Sequence, residues 1–70
     1  MERYNIDTES YMVLFFNSLN ERDRRRYAAV ESIKLGYGGI SYISDIFEID
    51  DKTINKGLEE LKKHFRHRKN

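Results

Sequence analysis

Arg22, Arg24, Arg25 and Arg26 crowd a five-residue stretch of the chain. Helical neighbours point about 100° apart, so these arginines cover more than one face, and those that meet solvent are free to grip phosphate. Further on, Lys52, Thr53, Asn55 and Lys56 open a second stretch with helical periodicity. Asn matches the edge of adenine, and Lys matches guanine or phosphate. Asp51, beside them, repels phosphate but can accept a hydrogen bond from cytosine. Lys62, Lys63, Arg66, Arg68 and Lys69 add cations near the end, where Glu59 offers Lys62 or Lys63 a purely structural partner. The chemistry these residues point to is recognition of double-stranded DNA. Arg22, Arg24, Arg25 and Lys63 are candidates for the backbone; Lys52, Thr53, Asn55 and Lys56 are candidates for a recognition surface.

Other chemistries find little support. Asp50-Asp51 and Glu59-Glu60 are adjacent carboxylates, which diverge on a helix and cannot share a substrate; capping and solvation account for them. His64 and His67 lack an evident third ligand, so no metal is expected. Gly36-Tyr37-Gly38-Gly39 lacks the Lys-Ser/Thr of a phosphate-binding loop and reads as backbone punctuation. No nucleophile is paired with a base by the sequence. The chain is therefore expected to be no enzyme, with no cofactor and no small-molecule substrate. It has no cysteine, which rules out a disulfide staple and fits a cytoplasmic setting. The longest apolar run, Met12 to Phe16, is far too short to span a membrane, and no signal peptide precedes it.

The formal net charge is only +1, but its distribution is uneven. Residues 1–21 carry −3, 22–34 carry +3, 35–51 carry −4 and 52–70 carry +5. One face can thus be positive on a nearly neutral molecule.

The 70 residues suffice for one small domain. Hydrophobic periodicity and end signals predict an all-α chain: a small bundle of about four helices near 8–19, 21–35, 40–47 and 51–65, ending in a helix-turn-helix. Residues before Asp7 are expected to fray. Asp7 or Thr8 would cap the first helix, with Tyr11, Met12, Phe15 and Leu19 on its buried side. Asn20 would cap the second, and Gly36 would end it. Ile40, Ile43, Ile46 and Phe47 form the stripe of the third helix; Ile54, Leu58, Leu61 and Phe65 form that of the fourth. Between them, small Ser44, Ile49 and Ile54 keep helix-turn-helix spacing, with the small residue expected where the two helices approach. Asp50 stands at the N-cap position of the fourth helix.

The run Leu19-Asn20-Glu21-Arg22-Asp23-Arg24-Arg25-Arg26, then Ala28-Ala29-Val30-Glu31 and Leu35-Gly36-Tyr37-Gly38-Gly39-Ile40-Ser41, resembles the amino-terminal region of ISAzo-type bacterial insertion-sequence transposases of the DDE class. The likeness continues through Thr53-Ile54 and Gly57-Leu58-Glu59-Glu60-Leu61, covering residues 19–61. It implies a helix-turn-helix that binds the terminal inverted repeats of a mobile element, without the catalytic domain, either as a fragment or as an orphan remnant. Such transposases commonly carry glycine where Glu48 stands, which implies a left-handed turn position at Glu48. They also carry more basic residues where Asp50, Asp51, Asn55 and Glu59 stand. A second function class is a protein-interaction or homodimerisation module, using Tyr11, Phe15, Phe16 and Tyr42, with the hairpin serving structure alone.

Overall fold

The computed structural model describes residues 1–67, and side chains through His64. The sequence-predicted roles of Phe65, Arg66, His67, Arg68 and Lys69 fall outside the described side chains. The described chain is all-helical, with α1 at Ile6–Ser18, α2 at Glu21–Leu35, α3 at Gly39–Phe47 and α4 at Asp51–His67. The four expected helices are present with small shifts at their ends.

Local capping sets those ends. Asn5, rather than Asp7 or Thr8, caps α1: its Oδ1 accepts the Thr8 amide at 2.8 Å, so the helix starts earlier than the periodicity suggests. Asn20 caps α2 by accepting the Asp23 amide at 2.8 Å. Gly36 (φ 75°) and Gly38 (φ 84°) supply the positive φ values that reverse the chain between α2 and α3. Glu48 takes the left-handed conformation expected from the resemblance, with φ 56° and ψ 48°. Ile49 N–H donates to Ser44 C=O at 3.1 Å and Glu48 N–H to Asp45 C=O at 3.4 Å, a Schellman-type helix end. The Asp50 carbonyl then accepts the amides of Thr53 and Ile54, starting α4.

Helix α2 is the element on which the others assemble, packing most extensively against α4 and then α3. Its inner face is small: Ala28, Ala29 and Ser32 are buried, and Ser32 Oγ returns its hydrogen bond to Ala28 C=O at 2.8 Å. Gly57 of α4 lies against the backbone of Arg25, where a β-carbon would overlap the carbonyl and crowd Ala29 Cβ at 3.3 Å. Gly39 of α3 lies likewise against the Ser32 carbonyl, and a β-carbon there would meet Leu35 Cβ at 3.1 Å. The backbone approaches that exclude any side chain therefore occur at Gly39 and Gly57 against α2, while Ser44 is only half-buried. Gly39 is a packing residue within α3, not loop punctuation.

Ile43 and Ile54, one from each hairpin helix, are fully buried, and each contributes about 1.5–3 kcal/mol by leaving water. Leu58 and Leu61 pack beside them as partly buried neighbours. Above this layer runs an aromatic series: Phe16 stacks on Phe47 at 4.2 Å, Phe47 on Tyr27 at 5.6 Å, and Tyr27 meets Phe15 edge-on at 5.0 Å.

Two expectations about α1 are corrected. Its buried side is Met12 and Phe16, while Tyr11 and Phe15 are 73% and 52% exposed. Its middle, residues 11–16, is an unbroken apolar run, so periodicity could not choose its inner face. The residues before it are also engaged rather than frayed. Tyr4 N–H donates to Tyr42 Oη at 3.0 Å, Tyr4 Oη donates to Glu31 at 3.3 Å, and the Arg3 guanidinium sits 4.7 Å from the Tyr42 ring centre. Tyr42 Oη donates in turn to Glu9. Tyr42 is 3% exposed, so it belongs to the core and not to an interaction surface. Burial, reinforced by Glu9, pushes the Tyr42 phenol above its ordinary pKa.

Two outcomes are expected in denaturant unfolding. Gly57→Ala and Gly39→Ala should each destabilise by about 1–3 kcal/mol, overpacking outweighing the gain in helix propensity. A stabilising effect of either would refute the close approach. Glu48→Gly should stabilise by up to about 1 kcal/mol, relief of left-handed strain exceeding the added unfolded-state entropy. A clear loss on that substitution would mean that Glu48 is held by something other than its backbone.

Candidate nucleic-acid interface

The first two turns of α4 and the start of α2 enclose an open groove of about 410 Å³. Phe16 and Ile49 contribute apolar lining; Arg24, Arg25, Lys52, Thr53, Lys56 and Glu21 supply the polar wall. Five of the eight sequence-predicted residues thus meet in one place, although two of them lie far from the others along the chain. Asn55 is exposed on α4, outside the groove lining. Lys63 lies farther along α4, where it lines a second shallow groove with Arg26, Glu60 and His64. Arg22 is apart from both, with its side chain 60% exposed and its Nε on Asp23 Oδ1 at 3.3 Å.

The arginines differ in how they are held. Arg24 reaches back to the end of α1, donating to the Phe16 carbonyl at 3.1 Å and the Asn17 carbonyl at 2.8 Å. Helix α1 has no basic residue in its own last turn, so Arg24 satisfies its terminal carbonyls and opposes its dipole from outside. Arg25 donates to Glu60 through Nη2 at 2.7 Å and Nε at 3.4 Å, and Arg26 Nε reaches the same carboxylate at 3.1 Å. Glu60 is therefore no solvated surface carboxylate, as its sequence neighbourhood suggested. Its hydrogen bond to Arg25, with that to Arg26 next, holds its pKa down at about 2. The same bond raises the Arg25 pKa above its ordinary value. Glu59 behaves as expected, pairing with Lys62 at 3.7 Å across solvent-exposed side chains.

These commitments leave the lysines of α4 as the most available cations. Lys52 and Lys56 are exposed and enter no salt bridge among the described residues. On helical geometry Lys52, Lys56, Glu59 and Lys63 follow one another along a single stripe, with Asn55 beside it. The turn leading into that stripe is acidic, with Glu48, Asp50 and Asp51 all exposed. These carboxylates disfavour phosphate beside them, while the lysine stripe presents positive charge along the exposed side of α4.

The Arg25–Glu60–Arg26 cluster joins residues 34 and 35 positions apart, and nothing local in the sequence signals it. The packing role of Gly57 was equally hidden; its only trace was a helix-disfavouring residue inside a strong helical pattern. Neither a protein-family model, nor a curated protein, nor a solved structure matches the chain.

The Glu60 pKa yields an acid-stability expectation. A carboxylate whose folded pKa is depressed contributes fully above its ordinary value of 4.5 and loses that contribution as pH falls through about 2. Glu60→Gln should lower stability at neutral pH and flatten the decline between pH 4.5 and 2, as read by denaturant titrations at a series of pH values. An unchanged acid limb would show that the two arginines do not depend on Glu60.

Proposed function

We propose that this domain binds double-stranded DNA in a sequence-specific manner through α4. The observation that carries the reading is the exposed stripe Lys52–Lys56–Lys63 with Asn55 beside it, on the second helix of a hairpin braced from behind by α2. A rigid helix of this kind, joined to its predecessor by a short turn, matches what the major groove admits. Asn55 and Lys56 reach base edges, while Lys52, Lys63 and Arg22 meet phosphate. Thr53 lies at the groove edge, where its hydroxyl can serve either. Arg24 and Arg25 act chiefly by fixing α1 and α4 on α2, and offer phosphate only the remaining edges of their guanidinium groups.

Support for the target comes from the resemblance over residues 19–61 to insertion-sequence transposases. On that reading the bound sequence is a terminal inverted repeat of a mobile element, and this domain supplies recognition without catalysis. The acidic turn at Glu48, Asp50 and Asp51 narrows the docking geometry. It opposes phosphate on its own side of the helix start, so backbone contact falls to Lys52 on the exposed stripe and to Lys63 farther along.

Binding to a terminal-repeat duplex and to a scrambled duplex across a salt series tests this. Lys52→Ala and Lys63→Ala should weaken both complexes alike, each making the slope of log affinity against log salt shallower by about one unit. Asn55→Ala should cost about 1–3 kcal/mol on the specific site and much less on scrambled DNA. Equal losses on both duplexes would reduce α4 to a backbone binder. A folded domain that binds neither would end the DNA reading.

A further inference from the structure

Helix α1 turns an apolar face to solvent. Tyr11, Leu14 and Phe15 are 73%, 66% and 52% exposed, and Ile6 is 77% exposed. The spacing of Tyr11, Leu14 and Phe15 places them side by side on one surface. Ile6 continues it across exposed Ser10, and Ser18 lies one turn beyond Leu14. Together the four large side chains present on the order of 500 Å² of surface, comparable with the largest patch on an ordinary monomer. Phe15 is already braced edge-on by Tyr27, so part of the patch is ordered in place.

We propose that this face pairs with the same face of a second copy, the two α1 helices running antiparallel. The area reaches the low end of the range: two such patches offer at most about 1,000 Å² together, the threshold for a weak but specific interface. Charge fits as well. The net charge of +1 gives little repulsion between copies. Within α1 the charged residues are Asp7 and Glu9, and Glu9 is turned inward to Tyr42. Asp7 is then the one charge that orientation must accommodate. A parallel pair would set both Asp7 carboxylates side by side, whereas an antiparallel pair places them at opposite ends, about 16 Å apart along the axis. Small Ser10 and Ser18 flank Leu14 and let it pack between the helices. The expected interface is self-complementary, each patch meeting its own copy about a two-fold axis.

Sedimentation velocity over a concentration series tests the pairing. The chain should pass from monomer toward dimer mass as concentration rises to about 1 mM, and added salt should not dissociate it, as expected of an apolar contact. Leu14→Glu, at an exposed position, should keep the helical circular dichroism and weaken association at least tenfold. Persistent monomer at every concentration, or a dimer untouched by both Leu14→Glu and Tyr11→Glu, would overturn the proposal. Because the chain has no cysteine, Ser18→Cys can carry a spin label at one defined site. The axis that sets the Asp7 pair apart puts the Ser18 labels about 17 Å apart; separations beyond about 15 Å support the antiparallel pair, and shorter ones overturn it. Binding of the Leu14→Glu variant to the terminal-repeat duplex separates the two readings, since α4 lies outside the patch.

Discussion

The fold depends on how closely two helices approach the backbone of a third. Gly57 against Arg25 and Gly39 against Ser32 allow α4 and α3 to lie directly on α2, with Ala28 and Ala29 filling the remaining space. At that separation Ile43 and Ile54 are sealed from water, and the carboxylate of Glu60 comes within reach of two arginines. A single methyl at either glycine would lift its helix and lengthen all these contacts together, because close-packed interiors relax only partly. A 70-residue chain has few other contacts with which to compensate.

Charge does double duty on this frame. The basic cluster of α2, read by itself, looks like a phosphate-binding surface. Folded, most of it is engaged within the molecule: Arg24 finishes α1, while Arg25 and Arg26 clamp Glu60 of α4. Such charge-assisted, partly buried contacts fix orientation as much as they stabilise, since each demands a particular geometry. The arrangement places a rigid helix with exposed lysines on one side of the molecule. The proposed recognition surface therefore rests on arginines that themselves face it only in part.

The amino-terminal arm and α1 close the other side. Tyr4, Tyr42, Glu9 and Glu31 form a chain of hydrogen bonds that ties residues before α1 to both α2 and α3. With Phe16 stacked on Phe47, this fixes which side of α1 faces inward and leaves Tyr11, Leu14 and Phe15 outside. The proposed DNA surface on α4 and the proposed pairing surface on α1 are consequently separate, so occupation of one does not require displacement of the other.

The sequence by itself determined the helices, their order and most of their ends, though not the start of α1, which Asn5 caps. Caps such as Asn20 and the glycine end of α2 are local devices, legible within a few residues; a glutamate at the left-handed position of Glu48 gives no such local signal. The stripes of α3 and α4 were legible because each has a single apolar side. The inward face of α1 was not, since the unbroken apolar run over residues 11–16 gives periodicity nothing to distinguish Met12 from Tyr11. Tertiary structure alone decided that Tyr42 is core, that Glu60 is a buried-side ion-pair partner and that Gly39 and Gly57 are contact points. Each of those roles is set by an atom more than two dozen residues away or on another helix, where one-dimensional spacing carries no information about distance.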